Sequence, residues 1–316
     1  MTFLTLWLRN LCLLFQRMKK ILRVAQLRSK LRFLRYYLFN KKPQYYQKVR
    51  SYGLNLAKRE REVIVSLTSY PGRINTLSCT IETLLVQTFK PDQVILWLAD
   101  SQFPNKEDDL PQSLLRLKQY GLTIGWYKDI RSYKKLIPTL KAYPNAMTIT
   151  ADDDVYYHPD WLKTLYDSYL ENPHAVHAHC VRNIHLTSSQ ESFAPYSSWE
   201  HDTTTGDARS SALQIGVGGV LYPPHCFHSD ILNEYLFVQL APNADDLWFW
   251  AMSILANTPI VRVKNAMMPA VNYRASTAES LCKQNLEGGA NNVQLRNLAT
   301  HYPELIQIVR QDLLKL

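Results

Sequence analysis

Several features that mark other classes of protein are rare or absent in this sequence of 316 residues. Glycine occurs only 10 times and shows no G-X-Y period, which excludes a collagen-like fibre. No apolar run reaches the roughly 18 residues of a membrane-spanning helix, which excludes a multispan membrane protein. The five cysteines form no C-x-x-C pair, and no Asn-x-Ser/Thr sequon occurs. These absences disfavour a disulfide framework or a cysteine zinc site and indicate a reducing compartment.

Positive charge is concentrated at the start of the chain. Residues 1–62 contain 16 lysines and arginines but only two acids, whereas residues 63–316 contain 20 basic and 25 acidic side chains. Apolar residues in this arm recur at intervals of three and four beside the basic ones: Ile21, Val24, Leu27, Leu31, Leu34 and Leu38. This pattern is typical of an amphipathic helix that lies in a membrane interface.

Alternatives for the basic arm remain open at this point. A signal peptide is disfavoured because Arg9 interrupts the apolar run and no A-x-A site follows. A nucleic-acid partner is not expected, since the rest of the chain is acidic. A helix that packs its apolar stripe on the domain would also fit. We expect residues 1–40 to bind an anionic membrane surface, with the protein cytoplasmic and peripheral on the inner face of the cytoplasmic membrane.

From Glu62 onward, short apolar segments alternate with segments of helical periodicity. The pattern predicts strands over residues 63–68, 93–99, 122–126, 146–150, 213–222 and 260–263. It predicts helices over residues 73–87, 111–120, 160–171, 229–237 and 245–256. Such alternation predicts an α/β fold with a mostly parallel sheet and helices on both faces. Ligands of these sheets bind at the carboxyl ends of the strands.

Three consecutive aspartates, Asp152, Asp153 and Asp154, directly follow the fourth predicted strand. Like charges this close repel one another, so a cation would stabilise them. Oxygen ligands at this density suit manganese or magnesium, which also bind substrate phosphates. A solvated acidic loop that caps the next helix is the structural alternative.

The strand and turn Val65–Arg73, the acidic triplet and the following Val155–Trp161 together resemble the nucleotide-sugar-dependent glycosyltransferases of the GT-A fold. Among these, the chain is most similar to family 2-like bacterial enzymes that build lipopolysaccharide or capsule. The resemblance covers about residues 62–275. It implies a Rossmann-like GT-A domain there, preceded by the arm 1–61 and followed by a C-terminal helical extension, 276–316.

The resemblance also implies roles for residues near the first and fourth strands. The donor's uridine would contact the residues of the first strand end and its turn, Thr68, Ser69, Tyr70 and Arg73. In the DxD element, Asp152 would face the ribose and also serve the metal, Asp153 would belong to the donor site, and Asp154 would hold the manganese or magnesium ion. The implied donor is a UDP-sugar.

Two glycines and two acids in the second half extend this resemblance. Gly218 and Gly219 match the glycine-bearing strand under the donor sugar, although a β-bulge or tight packing would also explain them. Asp245 and Asp246 match the acidic pair that opens the acceptor-side helix, where Asp246 would deprotonate the acceptor hydroxyl. The pair would equally stabilise a helix N-terminus.

Lys134 and Lys135 precede the DxD strand and would touch ribose or phosphate, or lie on a solvated helix face. Together these expectations describe an inverting, metal-dependent glycosyltransferase of the hexosyl or N-acetylhexosaminyl type. It would move a sugar from UDP to a hydroxyl of a cell-surface glycan or glycolipid. A metal-dependent phosphoesterase and a non-catalytic glycan-binding or scaffold protein remain as alternatives. The absence of G-x-G-x-x-G and of a P-loop argues against dinucleotide-binding and P-loop enzymes.

Overall fold

A computed structural model of the chain describes residues 42–271 and 289–315. The predicted amphipathic helix and the predicted membrane-binding residues 1–40 lie outside the described residues. No helix in the described part of the chain is both long enough and apolar enough to span a membrane.

The strands of the described residues alternate with helices in the first half of the chain and cluster in the second. They are β1 (Val63–Thr68), β2 (Gln93–Ala99), β3 (Leu122–Tyr127), β4 (Met147–Ala151), β5 (Val155–Tyr156), β6 (Val176–Ala178), β7 (Val181–Asn183), β8 (Ala208–Arg209), β9 (Ala212–Gln214), β10 (Val220–Tyr222), β11 (Ile260–Arg262) and β12 (Ala270–Val271).

The α-helices of the same residues are α1 (Leu77–Leu85), α2 (Gln112–Leu115), α3 (Ile137–Ala142), α4 (Trp161–Glu171), α5 (Glu234–Leu240), α6 (Asp245–Leu255), α7 (Ala290–His301) and α8 (Glu304–Leu313). Helices α7 and α8 contribute Leu295, Leu298 and Leu305 to the apolar core that also contains Trp248 and Trp250 of α6.

A mixed sheet with strand order β3-β2-β1-β4-β10-β6-β11-β8 forms the centre of the described fold. β10 runs antiparallel to β4 and β6, and β8 runs antiparallel to β11, whereas the other neighbouring pairs are parallel. Two small sheets, β12-β5 and β7-β9, lie outside it. The structure thus confirms the predicted α/β fold with a mainly parallel sheet.

Burial on both faces of the sheet explains why its first strands are almost continuously apolar. Val65 and Leu67 of β1 share an apolar cluster with residues of α1 and α4, whereas Ile64 points into a different cluster. On the face opposite α1, the Ser66 and Thr139 hydroxyls lie 2.7 Å apart, which brings α3 against β1. Helices therefore cover both faces, as predicted.

Two predicted helices are shorter than their periodicity suggested. The segment Pro111–Tyr120 forms only the short α2 followed by a 3-10 turn, which ends at Gly121 in a left-handed conformation. The predicted helix over residues 229–237 is interrupted at Asn233, whose side chain accepts a hydrogen bond from Leu236 N and caps α5. Local backbone chemistry overrides the hydrophobic period at both places.

The predicted strand over residues 213–222 is wrong. β9 ends at Gln214 and β10 begins at Val220, and a 3-10 turn, Gly216–Gly218, lies between them. The extended conformation is broken at Gly219, where φ is +88°. Residues 216–219, the glycine segment, therefore connect a small sheet to the central one.

Gly219→Ala is expected to lower the free energy of unfolding by about 3 kcal/mol. The φ of +88° is strained for any L side chain, and a Cβ atom there would lie 2.3 Å from Cζ2 of the buried Trp161 ring. Gly206→Ala is the matched control, since Gly206 also has φ +88° but a Cβ atom would meet only Lys264 Cε at 3.4 Å. Urea denaturation of both variants measures their free energies of unfolding. Equal losses of stability in the two variants would contradict the steric argument.

Candidate active site

The carboxyl edge of the parallel strands gathers the acidic triplet, the glycine segment and the start of α6. Asp152, Asp153 and Asp154 directly follow β4, as the sequence predicts. Because β10 runs antiparallel to β4, its N-terminal end and the glycine segment before it reach the same edge. The Asp152 N–H donates to the hydroxyl oxygen of the buried Tyr157 at 2.7 Å, which holds the start of the triplet in place.

Asp153 joins the acidic triplet to the turn after β1. Ser69 Oγ donates to Asp153 Oδ2 at 2.6 Å, and Arg73 Nη1 donates to Asp153 Oδ1 at 2.6 Å. Burial raises the pKa of Asp153, although Arg73 acts against this shift. The predicted donor-site residues Ser69 and Arg73 thus both contact Asp153, which is itself buried.

Asp154 is more exposed than Asp153, and neighbouring groups compensate its negative charge less well. Arg73 Nη1 lies 3.1 Å from Asp154 Oδ2. Burial, followed by repulsion from Asp152, nevertheless raises the pKa of Asp154 to about 6. Asp154 therefore lacks part of the positive charge that would keep its carboxylate ionised.

A divalent cation fits this pair of carboxylates only with further ligands from outside the protein. Within residues 42–271 and 289–315, no group of three or more His, Cys, Asp or Glu side chains is arranged to hold a metal. Asp152 and Asp154 would supply the protein oxygens, and phosphate and water oxygens would complete the shell, as is usual for magnesium.

A buried lysine, Lys135, connects the triplet to the acids of α6. Its Nζ lies 2.9 Å from Asp245 Oδ2, 3.4 Å from Asp152 Oδ1 and 3.9 Å from Asp246 Oδ1. Burial lowers the pKa of Lys135, but the three carboxylates outweigh burial and hold the pKa above the ordinary lysine value. The Lys135 ammonium therefore bonds to carboxylates on both sides of the site.

Asp245 and Asp246 open helix α6, as the sequence predicts. Ser132 Oγ donates to Asp245 Oδ1 at 2.8 Å, so Asp245 is held by a hydroxyl and by Lys135. Gly216 N–H donates to Asp246 Oδ2 at 3.0 Å. The other oxygen, Asp246 Oδ1, is buried and has no hydrogen-bond partner in the described part of the chain.

Burial raises the pKa of Asp246 to about 7, with Lys135 acting against the shift and Asp245 adding to it. A carboxyl with this pKa is partly ionised at neutral pH and exchanges a proton readily there. A pKa near the working pH and an oxygen without a partner are the properties that a general base needs.

Gly216 is the glycine of its segment that approaches the acids. A Cβ atom at Gly216 would lie 2.8 Å from Lys135 Nζ and 2.9 Å from Asp246 Oδ1, so a side chain there would displace both groups. By contrast, Gly218 packs against Cys180, and Gly219 packs against Trp161. The sequence motif contained Gly216, but nothing in the sequence separated its role from those of its neighbours.

The other predicted donor-site residues are engaged within the protein. Thr68 Oγ1 donates to Trp97 O at 2.8 Å, and the guanidinium of Arg73 lies 5.6 Å from the Tyr70 ring centroid. Lys134 Nζ donates to Asp129 Oδ1 at 2.5 Å, which keeps Lys134 apart from the acids that Lys135 contacts.

No protein-family model matches the chain, and no curated protein is detectably similar to it in sequence. Among solved structures, the fold is similar to a mannosyltransferase from Pyrobaculum calidifontis in complex with GDP-Man and Mn2+. That similarity has 13% identity and a TM-score of 0.41, over 85% of this chain and 80% of the other.

A second similar structure is glucosyl-3-phosphoglycerate synthase from Mycobacterium tuberculosis with Mn2+, UDP and glucosyl-3-phosphoglycerate. It has 12% identity and a TM-score of 0.40, over 76% of this chain and 80% of the other. A third is CMP:2-keto-3-deoxy-manno-octonic acid synthetase with CTP, which has 12% identity and a TM-score of 0.38, over 66% and 93%. At these TM-scores the similarities do not bear on what this chain does.

Proposed function

We propose that the protein is an inverting, metal-dependent glycosyltransferase that moves a hexose or N-acetylhexosamine from a UDP-sugar to an acceptor hydroxyl. One observation carries the proposal: the buried Lys135 ammonium lies 3.4 Å from Asp152 Oδ1 after β4 and 3.9 Å from Asp246 Oδ1 at the start of α6. A candidate diphosphate-binding acid and a candidate base are therefore neighbours across one cation. Transfer from a nucleotide sugar needs both groups close together.

Each step of the proposed transfer has a residue of the chain that suits it. Asp152 and Asp154 would hold manganese or magnesium, which neutralises the departing diphosphate when it is bound. Asp246 Oδ1, which accepts no hydrogen bond from the described part of the chain, would accept the proton of the acceptor hydroxyl. The hydrogen bond from Gly216 N to Asp246 Oδ2 would orient that carboxylate. The acceptor oxygen would then attack the anomeric carbon opposite the leaving diphosphate.

The acceptor and the location belong to the same proposal. A cell-surface glycan or glycolipid, such as a lipopolysaccharide or capsule precursor, would be the acceptor. Residues 1–40 would bind an anionic membrane surface on the inner face of the cytoplasmic membrane. Support for this part comes from the sequence, in which the first 62 residues contain 16 basic and only two acidic side chains.

Calorimetric titration of UDP, with and without manganese, tests the donor site. We expect metal-dependent binding by the wild type and at least tenfold weaker binding by Asp154→Ala, because one of the two cation ligands is lost. Asp108→Ala removes an exposed carboxylate from the 3-10 turn Lys106–Asp109, which contains no residue of the proposed site, and should bind as the wild type does. Binding that is indifferent to both manganese and Asp154→Ala, or no binding at all, would refute the proposed donor site.

A further inference from the structure

A second group of polar side chains lies beside the glycine segment, on the side that faces Cys180. A Cβ atom at Gly218 would lie 2.9 Å from Cys180 N, and Ile215 N donates to Cys180 O at 2.9 Å. The neighbouring Gly216 in turn donates to Asp246. Cys180 is therefore close to the backbone that holds the proposed base, but it is not among the residues described above for donor or metal.

Around Cys180 the side chains are basic. Cys180 Sγ lies 3.6 Å from His201 Nδ1, and Arg182 Nη2 lies 3.5 Å from His201 Nε2. Arg182 Nη1 also donates to Trp199 O at 2.8 Å, and its guanidinium lies 5.2 Å from the Tyr196 ring centroid. These contacts hold the Arg182 side chain in one place.

Arg262 of β11 adds a second guanidinium to this region. Its Nη1 donates to Thr203 O at 3.3 Å, in the loop that follows His201. Burial raises the pKa of the Cys180 thiol to about 11; Arg182 and Arg262 act against that shift and Asp246 adds to it, so the fields of both arginines and of the proposed base reach the thiol. We name Cys180, Arg182, His201 and Arg262 the Arg182 cluster.

Among the described residues, no acid forms an ion pair with the arginines of this cluster. Arg59, Arg73, Arg116 and Arg209 each contact a carboxylate. Arg182 instead donates to a backbone carbonyl and lies against an imidazole, and Arg262 donates to a backbone carbonyl. The Trp199 indole N–H is also buried without a hydrogen-bond partner in the described part of the chain. Half-buried guanidinium groups that lack acids bind oxyanions well, because their N–H groups match carboxylate and phosphate oxygens.

We propose that the Arg182 cluster binds an anionic group, a carboxylate or a phosphate, on the acceptor substrate. The inference rests on the proposed function and narrows its substrate class to acidic acceptors. The donor's diphosphate has its own cation site at Asp152 and Asp154, whereas the cluster adjoins the segment that orients Asp246. An acid group held by Arg182 and Arg262 would fix the acceptor and would not need the donor to be present.

Binding of three small sugars tests this inference. Glucose 6-phosphate, glucuronate and glucose are titrated separately into the full-length protein, once alone and once with UDP and manganese. We expect the two anionic sugars to bind at least tenfold more tightly than glucose, and whichever of the two binds better identifies the anion as phosphate or carboxylate. Arg182→Gln and Arg262→Gln should each weaken this binding about tenfold, the effect of losing charge-assisted hydrogen bonds.

The control is Arg310→Gln, which removes a half-buried guanidinium that donates to the carbonyl of Gln190. It should bind the anionic sugars as the wild type does. Equal binding of all three sugars, or loss of binding in Arg310→Gln to the same extent, would overturn the inference. Unaltered UDP binding in that case would leave the proposed function intact. If the protein does not bind UDP but still prefers the anionic sugars through Arg182 and Arg262, the proposed donor site alone would be refuted.

Discussion

Asp246→Asn is expected to reduce turnover by about 10²–10⁴-fold, the contribution of a general base, while UDP binding stays close to that of the wild type. The amide keeps the shape of the side chain and can still accept the hydrogen bond from Gly216 N, but it cannot take the acceptor's proton. The measurement is the initial rate of UDP release with a donor and acceptor pair found by screening.

The same residue predicts how the rate depends on pH. The pKa of Asp246 is raised to about 7, so the carboxyl is protonated and inactive below that pH. We therefore expect kcat/KM to rise as the pH increases through about 7 and to level off above it. Asp167→Asn, which removes an exposed carboxylate on α4, is the control and should keep both the rate and the profile. A full rate in Asp246→Asn would show that another group removes the proton.

Lys135→Met is expected to lower the free energy of unfolding by about 3–5 kcal/mol, the cost of breaking a buried ion pair by removing one partner. Lys135 is only 6% exposed, and its ammonium balances Asp152, Asp245 and Asp246. Without it these carboxylates would repel one another at close range. Urea denaturation at neutral pH measures the loss.

Its sequence neighbour supplies a matched comparison. Lys134 is 2% exposed but pairs with the single, partly exposed Asp129, and burial lowers its pKa. Lys134→Met should therefore cost only about 1 kcal/mol. In the double variant Lys135→Met with Asp245→Asn, removal of one carboxylate should recover at least about 1 kcal/mol relative to Lys135→Met. Similar losses in the two single lysine variants would show that apolar packing, not charge, sets the effect.

The first half of the fold was predictable because its strands are buried on both faces. β1 and β2 have the predicted limits, Val63–Thr68 and Gln93–Ala99, and β4 differs by one residue at each end. In the sequence, such strands are short apolar runs bounded by turn residues. The glycine segment was not predictable in this way, since Gly219 leaves the extended conformation within a run that is apolar throughout.

For the candidate site, the sequence indicated where in the fold the acids lie but not which groups balance their charge. Their positions after β4 and at the start of α6 follow from local pattern. The contacts that set their charge join distant residues: Arg73 reaches Asp153 across 80 positions, and Lys135 reaches Asp152 across 17. The sequence places Lys135 either at the donor or on a solvated helix face; the structure buries it among carboxylates, so the solvated face is wrong. Only the packed fold determines such partners.

The antiparallel position of β10 also bears on the order of folding. β4 pairs with β1 in parallel, but it pairs with β10 through residues such as Thr150 and Val220, which are 70 positions apart. Chain entropy must be lost over that separation before the pairing stabilises the sheet. β4 follows β3 closely in the chain and can join β1 once β1, β2 and β3 have paired, so the aspartates after it can be in place early. Gly216 reaches them only when β10 pairs with β4. Under the proposed function, chains that have paired β1 with β4 would therefore bind UDP and manganese during refolding before Gly216 reaches Asp246.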